Sequence, residues 1–161
     1  MPVPLETARL ILRPWAASDA GALSALHAER GNGTPPVEHT RELIAKQLAA
    51  TAKTGIALLP VLRRDEGDFI GYCGLIIGRC TAEEPEIAYE LFRRAHGRGY
   101  ATEAAGAVLE AAKATGRKRL WSTVGAGNTA SLRVLEKLGF ARDHVSTEHN
   151  GEVVWLTRSL L

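Results

Sequence analysis

The sequence predicts a mixed α/β domain of about seven strands and four helices, in the order β-α-α-β-β-β-α-β-α-β-β. Three observations predict it. Short apolar runs recur between turn signals. A strong amphipathic helix follows a glycine- and arginine-containing loop at residues 93–99. Asn150-Gly151 lies between two strand-like runs, a hairpin signal. The 161 residues suit one domain spanning 1–161. Apolar residues make up 45% and charged residues 24%, which excludes a disordered or fibrous chain.

Each element has its own local reason. Residues 8–13 alternate, with Leu10 and Leu12 on one side and Arg9 and Arg13 on the other, and Pro14 ends the strand. Ser18 and Asp19 are candidate N-caps for a helix reaching Glu29. Gly31-Asn-Gly-Thr-Pro-Pro36 is a loop by its turn residues, and a second helix runs from Glu38 to Thr51 and stops before Gly55. Residues 56–63 and 68–77 are strands joined by Arg64-Asp-Glu-Gly67, and Glu86 to Phe92 is another strand. Ala101, Ala104, Ala105, Val108, Leu109 and Ala112 then share one helix face, and Gly116 closes that helix. A strand at 119–124 leads to a helix capped by Asn128 and ended by Gly139. Strands at 140–146 and 152–157 complete the order.

Composition narrows the function. Twenty basic and eighteen acidic residues give a net charge of +2, too weak a footprint for a nucleic-acid partner. Cys73 and Cys80 are too few for a disulfide framework and read as reduced, buried thiols; no histidine lies near them for a zinc site, so no metal is expected. Residues 1–6 lack the features of a signal peptide, and no segment has the roughly 18 apolar residues of a membrane span. The expectation is a soluble, cytoplasmic protein, monomeric or homodimeric. Gly97 and Gly99 are followed by Thr102 where a dinucleotide fingerprint needs a third glycine, and Walker, nucleophile-elbow and His-Glu-x-x-His motifs are absent.

Two features carry chemistry. Arg93-Arg-Ala-His-Gly-Arg-Gly99 puts three arginines and two glycines within seven residues at a helix start. The first helical N–H groups are unpaired, and the dipole adds about half a positive charge. Glycines let a ligand approach the backbone. The loop is an anion site suited to a pyrophosphate, or else a strand-to-helix turn with solvated arginines. The second feature is Asn128-Thr-Ala-Ser131, which places Asn128 and Ser131 on one helix face.

Together these features resemble the GNAT superfamily of N-acetyltransferases. Arg94-Ala-His-Gly-Arg-Gly99 matches its Arg/Gln-x-x-Gly-x-Gly/Ala signature, and Gly99-Tyr-Ala-Thr-Glu-Ala104 is a common continuation. The stretch from Asn128 to Phe140 matches the second motif, and its Ser131 is typical of the branch resembling ribosomal-protein N-terminal (Rim-type) acetyltransferases. The opening from Thr7 to Pro14 and the strand from Pro85 to Leu91 also look like that branch. Residues 31–53 match poorly.

The resemblance implies a central mixed, mostly antiparallel sheet flanked by helices, and acetyl transfer from acetyl-CoA to a primary amine by direct attack. It implies that backbone N–H groups of Arg94, His96, Gly97, Arg98, Gly99, Tyr100, Ala101 and Thr102 cradle the pyrophosphate. The pantetheine pairs with the edge of Leu91, Phe92 and Arg93 as an added strand. An N–H of Leu91 or Phe92 stabilises the thioester oxyanion, and Asn128 contacts the pantetheine. Glu90 and Glu86, on one strand face, are the candidate bases, and His96 is a weaker one. Many family members carry a tyrosine acid in the second-motif helix; that position is Leu135 here, and Ser131 is the expected substitute. Trp15, Trp121 and Trp155 either line an acceptor pocket or pack in the core. Arg117-Lys-Arg119 either meets the 3′-phosphate or is a solvated helix end. The acceptor is a protein N-terminal α-amine or a small-molecule amine. The alternative is a non-catalytic acyl-CoA-binding or sensor protein.

Overall fold

The computed structural model describes residues 1 and 3–161; Pro2, within the N-terminal stretch read above, lies outside the described residues. Eight strands form one sheet: β1 (Leu5–Glu6), β2 (Leu10–Leu12), β3 (Leu58–Arg63), β4 (Phe69–Ile76), β5 (Glu86–Leu91), β6 (Arg119–Gly125), β7 (Ala141–Glu148) and β8 (Gly151–Ser159). Their spatial order is β1-β2-β3-β4-β5-β6-β8-β7. Every neighbouring pair is antiparallel except β5–β6. The helices are α1 (Ala20–Ala28), α2 (Val37–Thr54), α3 (Tyr100–Ala114) and α4 (Thr129–Lys137), with single 3-10 turns at Ala17–Asp19 and Arg93–Ala95. Among the described residues, no helix is long and apolar enough to cross a membrane.

The expected order of elements is present, with one strand more than expected. That strand, β1, has two residues and is too short to show a period. Asp19 sits at the head of α1 but does not cap it. Its carboxylate accepts hydrogen bonds from the Arg13 guanidinium (2.8 and 2.9 Å) and the Ala16 N–H (2.8 Å). Gly55 ends α2 in the left-handed conformation that closes a helix without strain. Asn128 caps α4, its Oδ1 accepting from the Ser131 N–H at 3.2 Å.

Alternation along the strands sends side chains to two cores on opposite sheet faces. On one face Trp15, Leu23, Leu26 and Ile44 of the α1–α2 side pack with Phe69, Tyr72 and Phe92. On the other, Ala104, Ala105 and Val108 of α3 and Leu132 and Leu135 of α4 meet Cys73, Leu75, Ile87 and Leu91. Of the two cysteines, Cys73 is buried, whereas Cys80 is only partly so. Trp15 belongs to the core, whereas Trp121 and Trp155 are partly exposed on the sheet.

Close packing of β4 against the segment entering β3 depends on a missing side chain. A Cβ at Gly74 would stand 2.2 Å from the Ala57 carbonyl oxygen and 2.6 Å from the Leu58 Cα. Gly74→Ala is therefore expected to destabilise the fold by about 3 kcal/mol. A lower urea midpoint at unchanged m-value would show it.

Candidate active site

The sheet opens between its two parallel strands. β5 and β6 share one registered pair, Glu86 with Trp121. Trp121 N–H donates to the Pro85 carbonyl (3.0 Å), and Ser122 Oγ donates to the Ile87 carbonyl (3.1 Å). Beyond these bonds lies a cleft of about 520 Å³, lined by residues including Arg30, Tyr72, Glu86, Tyr89, Asn128 and Ser131.

The β5 edge facing this cleft follows from register. Phe92 N–H donates to the Ile70 carbonyl at 2.9 Å, and Glu90 lies opposite Tyr72. Antiparallel alternation then turns the N–H groups of Tyr89 and Leu91 away from β4, toward the gap. Two amides expected at the open edge are engaged elsewhere. Phe92 bonds Ile70, and Arg93 N–H donates to Glu29 Oε1 at 2.9 Å. The free edge is thus Tyr89 and Leu91: of the three residues the sequence suggested, Leu91 keeps an amide turned to the gap, and Tyr89 joins it. A His96 ring nitrogen lies 2.9 Å from the Leu91 carbonyl oxygen and ties the following turn back onto the strand.

Gly97 and Gly99 hold φ values of +72° and +78°. A side chain there would meet left-handed strain of roughly 1–2 kcal/mol. The first α3 bond is Glu103 N–H to the Gly99 carbonyl, 3.0 Å, so the N–H groups of Tyr100, Ala101 and Thr102 lack helical partners. A Cβ at Gly97 would meet nothing within 4 Å, so the loop's surface is open there. This main-chain cradle fits a phosphate-bearing ligand. The arginines divide their work. Arg94 is a brace, donating to Asp68 and the Phe69 carbonyl, both at 2.8 Å, and lying over the Phe92 ring. Arg93 is largely exposed, 3.7 Å from Glu29. Arg98 is exposed beside a second hollow of about 210 Å³ that Arg63 and Arg94 also line.

Across the gap stands the start of α4. Asn128 and Ser131 line the cleft as the sequence suggested. Leu135 is fully buried and offers nothing to it. Tyr89, not singled out from sequence, reaches this point from β5, and its hydroxyl donates to the Ser131 carbonyl at 3.2 Å.

The acidic side chains point to the opposite sheet face. Glu90 accepts from Arg30 Nε (3.0 Å), Arg30 Nη2 (2.5 Å) and the Tyr72 hydroxyl (2.9 Å). Burial alone would raise its pKa, but the bonds from Arg30 and Tyr72 outweigh that and hold the carboxyl below the usual range. Glu86 is buried, and accepts from Arg79 N–H (2.7 Å), Thr123 N–H (3.1 Å) and Thr123 Oγ1 (2.5 Å). Trp121 and Trp155 extend this wall, with ring centroids 6.2 Å apart and the His144 ring stacked on Trp155 at 4.9 Å. Arg117 and Arg119 are bonded to the Ala82 carbonyl and Thr157 Oγ1.

Fold and cleft are those of an acyl-transfer domain. The chain belongs to the GNAT acetyltransferase family: residues 9–141 match the model described as the acetyltransferase (GNAT) domain. It is 30% identical over 154 residues to the uncharacterized N-acetyltransferase YoaA of Bacillus subtilis (strain 168), covering 90% of this chain and 86% of that protein. It is 31% identical over 110 residues to the uncharacterized protein YkkB of the same organism, covering 67% of this chain and 64% of YkkB. An acetyltransferase structure from Agrobacterium tumefaciens str. C58 superposes with a TM-score of 0.82 at 28% identity, over 98% of this chain and 95% of that one. RimL, a ribosomal L7/L12 α-N-protein acetyltransferase in complex with coenzyme A, shares the fold with a TM-score of 0.82 at 15% identity, over 95% of each chain.

The Glu90 pair links stability to pH. Its folded pKa is depressed, so its contribution is present above the unfolded value, about 4.3, and is lost as pH falls through the folded value. Thermal melts from pH 7 to pH 3 are expected to show a smaller acid loss in Glu90→Gln than in the unmodified protein.

Proposed function

We propose that the protein is an acetyl-CoA-dependent N-acetyltransferase that moves the acetyl group to a primary amine by direct attack in a ternary complex. One observation carries this reading: the main-chain cradle at Gly97–Thr102 lies at the end of a strand whose Tyr89 and Leu91 N–H groups face an open cleft. The cradle takes the pyrophosphate, with Arg93 and Arg98 adding charge. The open edge takes the pantetheine, alongside Asn128. Leu91 N–H is the donor to the thioester oxygen, an interaction of the kind typically worth about 3 kcal/mol. Acetyl-CoA supplies the activated acyl group.

On the other face Glu90 and Glu86 receive the amine, Glu90 from within its Arg30–Tyr72 pair and Glu86 from its Thr123 cluster. The lowered basicity of Glu90 favours an acceptor that needs little help to lose its proton. An α-amine, with a reference pKa of about 7.7–8.0, meets that condition better than a lysine side chain at about 10.4. A protein or peptide N-terminus is thus the preferred acceptor class, with small amines of comparable pKa next.

The first measurement is thermal stability with acetyl-CoA, CoA, ATP and NAD in parallel, followed by thiol release with an N-terminal peptide panel. Acetyl-CoA or CoA at 100 times its Kd is expected to add about 2.7 kcal/mol, and ATP and NAD much less. Stabilisation without thiol release for any amine would make the protein an acyl-CoA binder or sensor. No stabilisation at millimolar CoA would remove the cofactor assignment.

A further inference from the structure

The cleft has two chemically different walls, and each carries one phenol. Glu90 and Tyr89 are consecutive on β5, so their side chains take opposite sheet faces. Tyr72, opposite Glu90 in register, shares its face, and its hydroxyl is engaged with Glu90 at 2.9 Å. That face also holds Arg30, ion-paired with Glu90, and Arg79, ion-paired with Glu148. Tyr89 occupies the other wall, beside Asn128 and Ser131. Its ring packs against the α3–α4 core, which leaves the hydroxyl one rotatable bond from a new direction.

We propose that Tyr89 donates a hydrogen bond to the departing sulfur of the thioester, a role resting on the acetyl-transfer reading above. Three other hydroxyls on the cleft are spoken for by geometry, and the Ser131 hydroxyl, which the sequence suggested for the acid role, is the remaining competitor on the same wall as Tyr89. Ser122 is buried and bonded to the Ile87 carbonyl, Thr123 to Glu86, and Tyr72 to Glu90. Tyr89 gives its proton to a carbonyl, Ser131 C=O, at 3.2 Å. That bond lies at the long end for O–H···O and is readily exchanged for a stronger acceptor. A thiolate forming between β5 and α4 is such an acceptor, since hydrogen bonds to charged groups are roughly twice as strong as neutral ones. Burial raises the Tyr89 pKa, so the phenol keeps its proton at neutral pH.

The step balances without a further reactant. The amine nitrogen bonds to the thioester carbon, the C–S bond breaks, and its electron pair goes to sulfur. Tyr89 O–H stabilises the thiolate as it forms. The proton lost by the amine reaches solvent, and sulfur takes one from solvent. Tyr89 ends the cycle as it began.

The test compares Tyr89→Phe with the unmodified protein on two donors, acetyl-CoA and its selenium analogue. A selenolate is a far weaker base than a thiolate and leaves with little need of a donor. Tyr89→Phe is expected to lower kcat with acetyl-CoA about 100-fold while leaving KM for acetyl-CoA and the melting temperature nearly unchanged. With the selenium analogue the loss is expected to fall below about 5-fold. An equal loss on both donors, or a raised KM with a lowered melting temperature, would make Tyr89 a brace for α4 and overturn the assignment. Turnover within twofold of the unmodified protein would overturn it as well, while acetyl transfer itself stood. Absence of thiol release by the unmodified protein with every amine would remove the acetyl-transfer reading and this one with it. Tyr72→Phe, on the opposite wall, and Ser131→Ala, beside Tyr89, are the comparisons and are expected to show no difference between the donors. A donor-dependent loss in Ser131→Ala that Tyr89→Phe lacks would give the role to Ser131 and overturn the assignment.

Discussion

A single parallel strand pair shapes the cleft. Antiparallel ladders hold the rest of the sheet, but β5 and β6 share one registered pair and then part. An unpaired N–H in the middle of a sheet is normally a cost. Here that cost coincides with the place where a ligand can serve as the missing strand. Glu86 secures the junction, since its buried carboxylate accepts three hydrogen bonds from Arg79 and Thr123. The seam is therefore fixed at one end and open at the other.

The end of α1 holds the open side from above. Glu29 and Arg30, consecutive residues, reach β5 and the turn after it through the Arg93 N–H and the Glu90 carboxylate. The loop at 31–36 thus starts from an anchored point. Charges around the cleft are mostly matched: Arg30 with Glu90, Arg79 with Glu148, and Arg94 with Asp68. The positive charge left for an anionic ligand comes from main-chain dipoles and the exposed Arg93 and Arg98 more than from the whole arginine set.

Much of this was legible in the residues. Turn glycines, the Asn128 cap and the apolar face of α3 are local signals, and they placed the elements and the anion loop. What escaped was set by contacts distant in sequence. Arg94 looked like a phosphate ligand, but its partner is Asp68, 26 residues away, and no local pattern announces that. Periodicity showed that Glu86 and Glu90 share a face. It did not show which amides of β5 face the gap, because that depends on register with β4. Tyr89 went unnoticed for the same reason: its meaning lies in meeting α4, 42 residues later. Asp19 has the composition of a cap, yet the Arg13 guanidinium claims its carboxylate.

The division of labour along β5 has a consequence for divergence. On the proposed acetyl-transfer reading, what grips the cofactor is largely peptide groups, which every residue type supplies, whereas what meets the acceptor is side chains at alternate positions, Glu86, Ala88 and Glu90. Substitution at those positions rewrites the acceptor face and leaves the amides in place. A lineage built on this strand can drift in what it modifies while inheriting intact the means of holding its acyl donor.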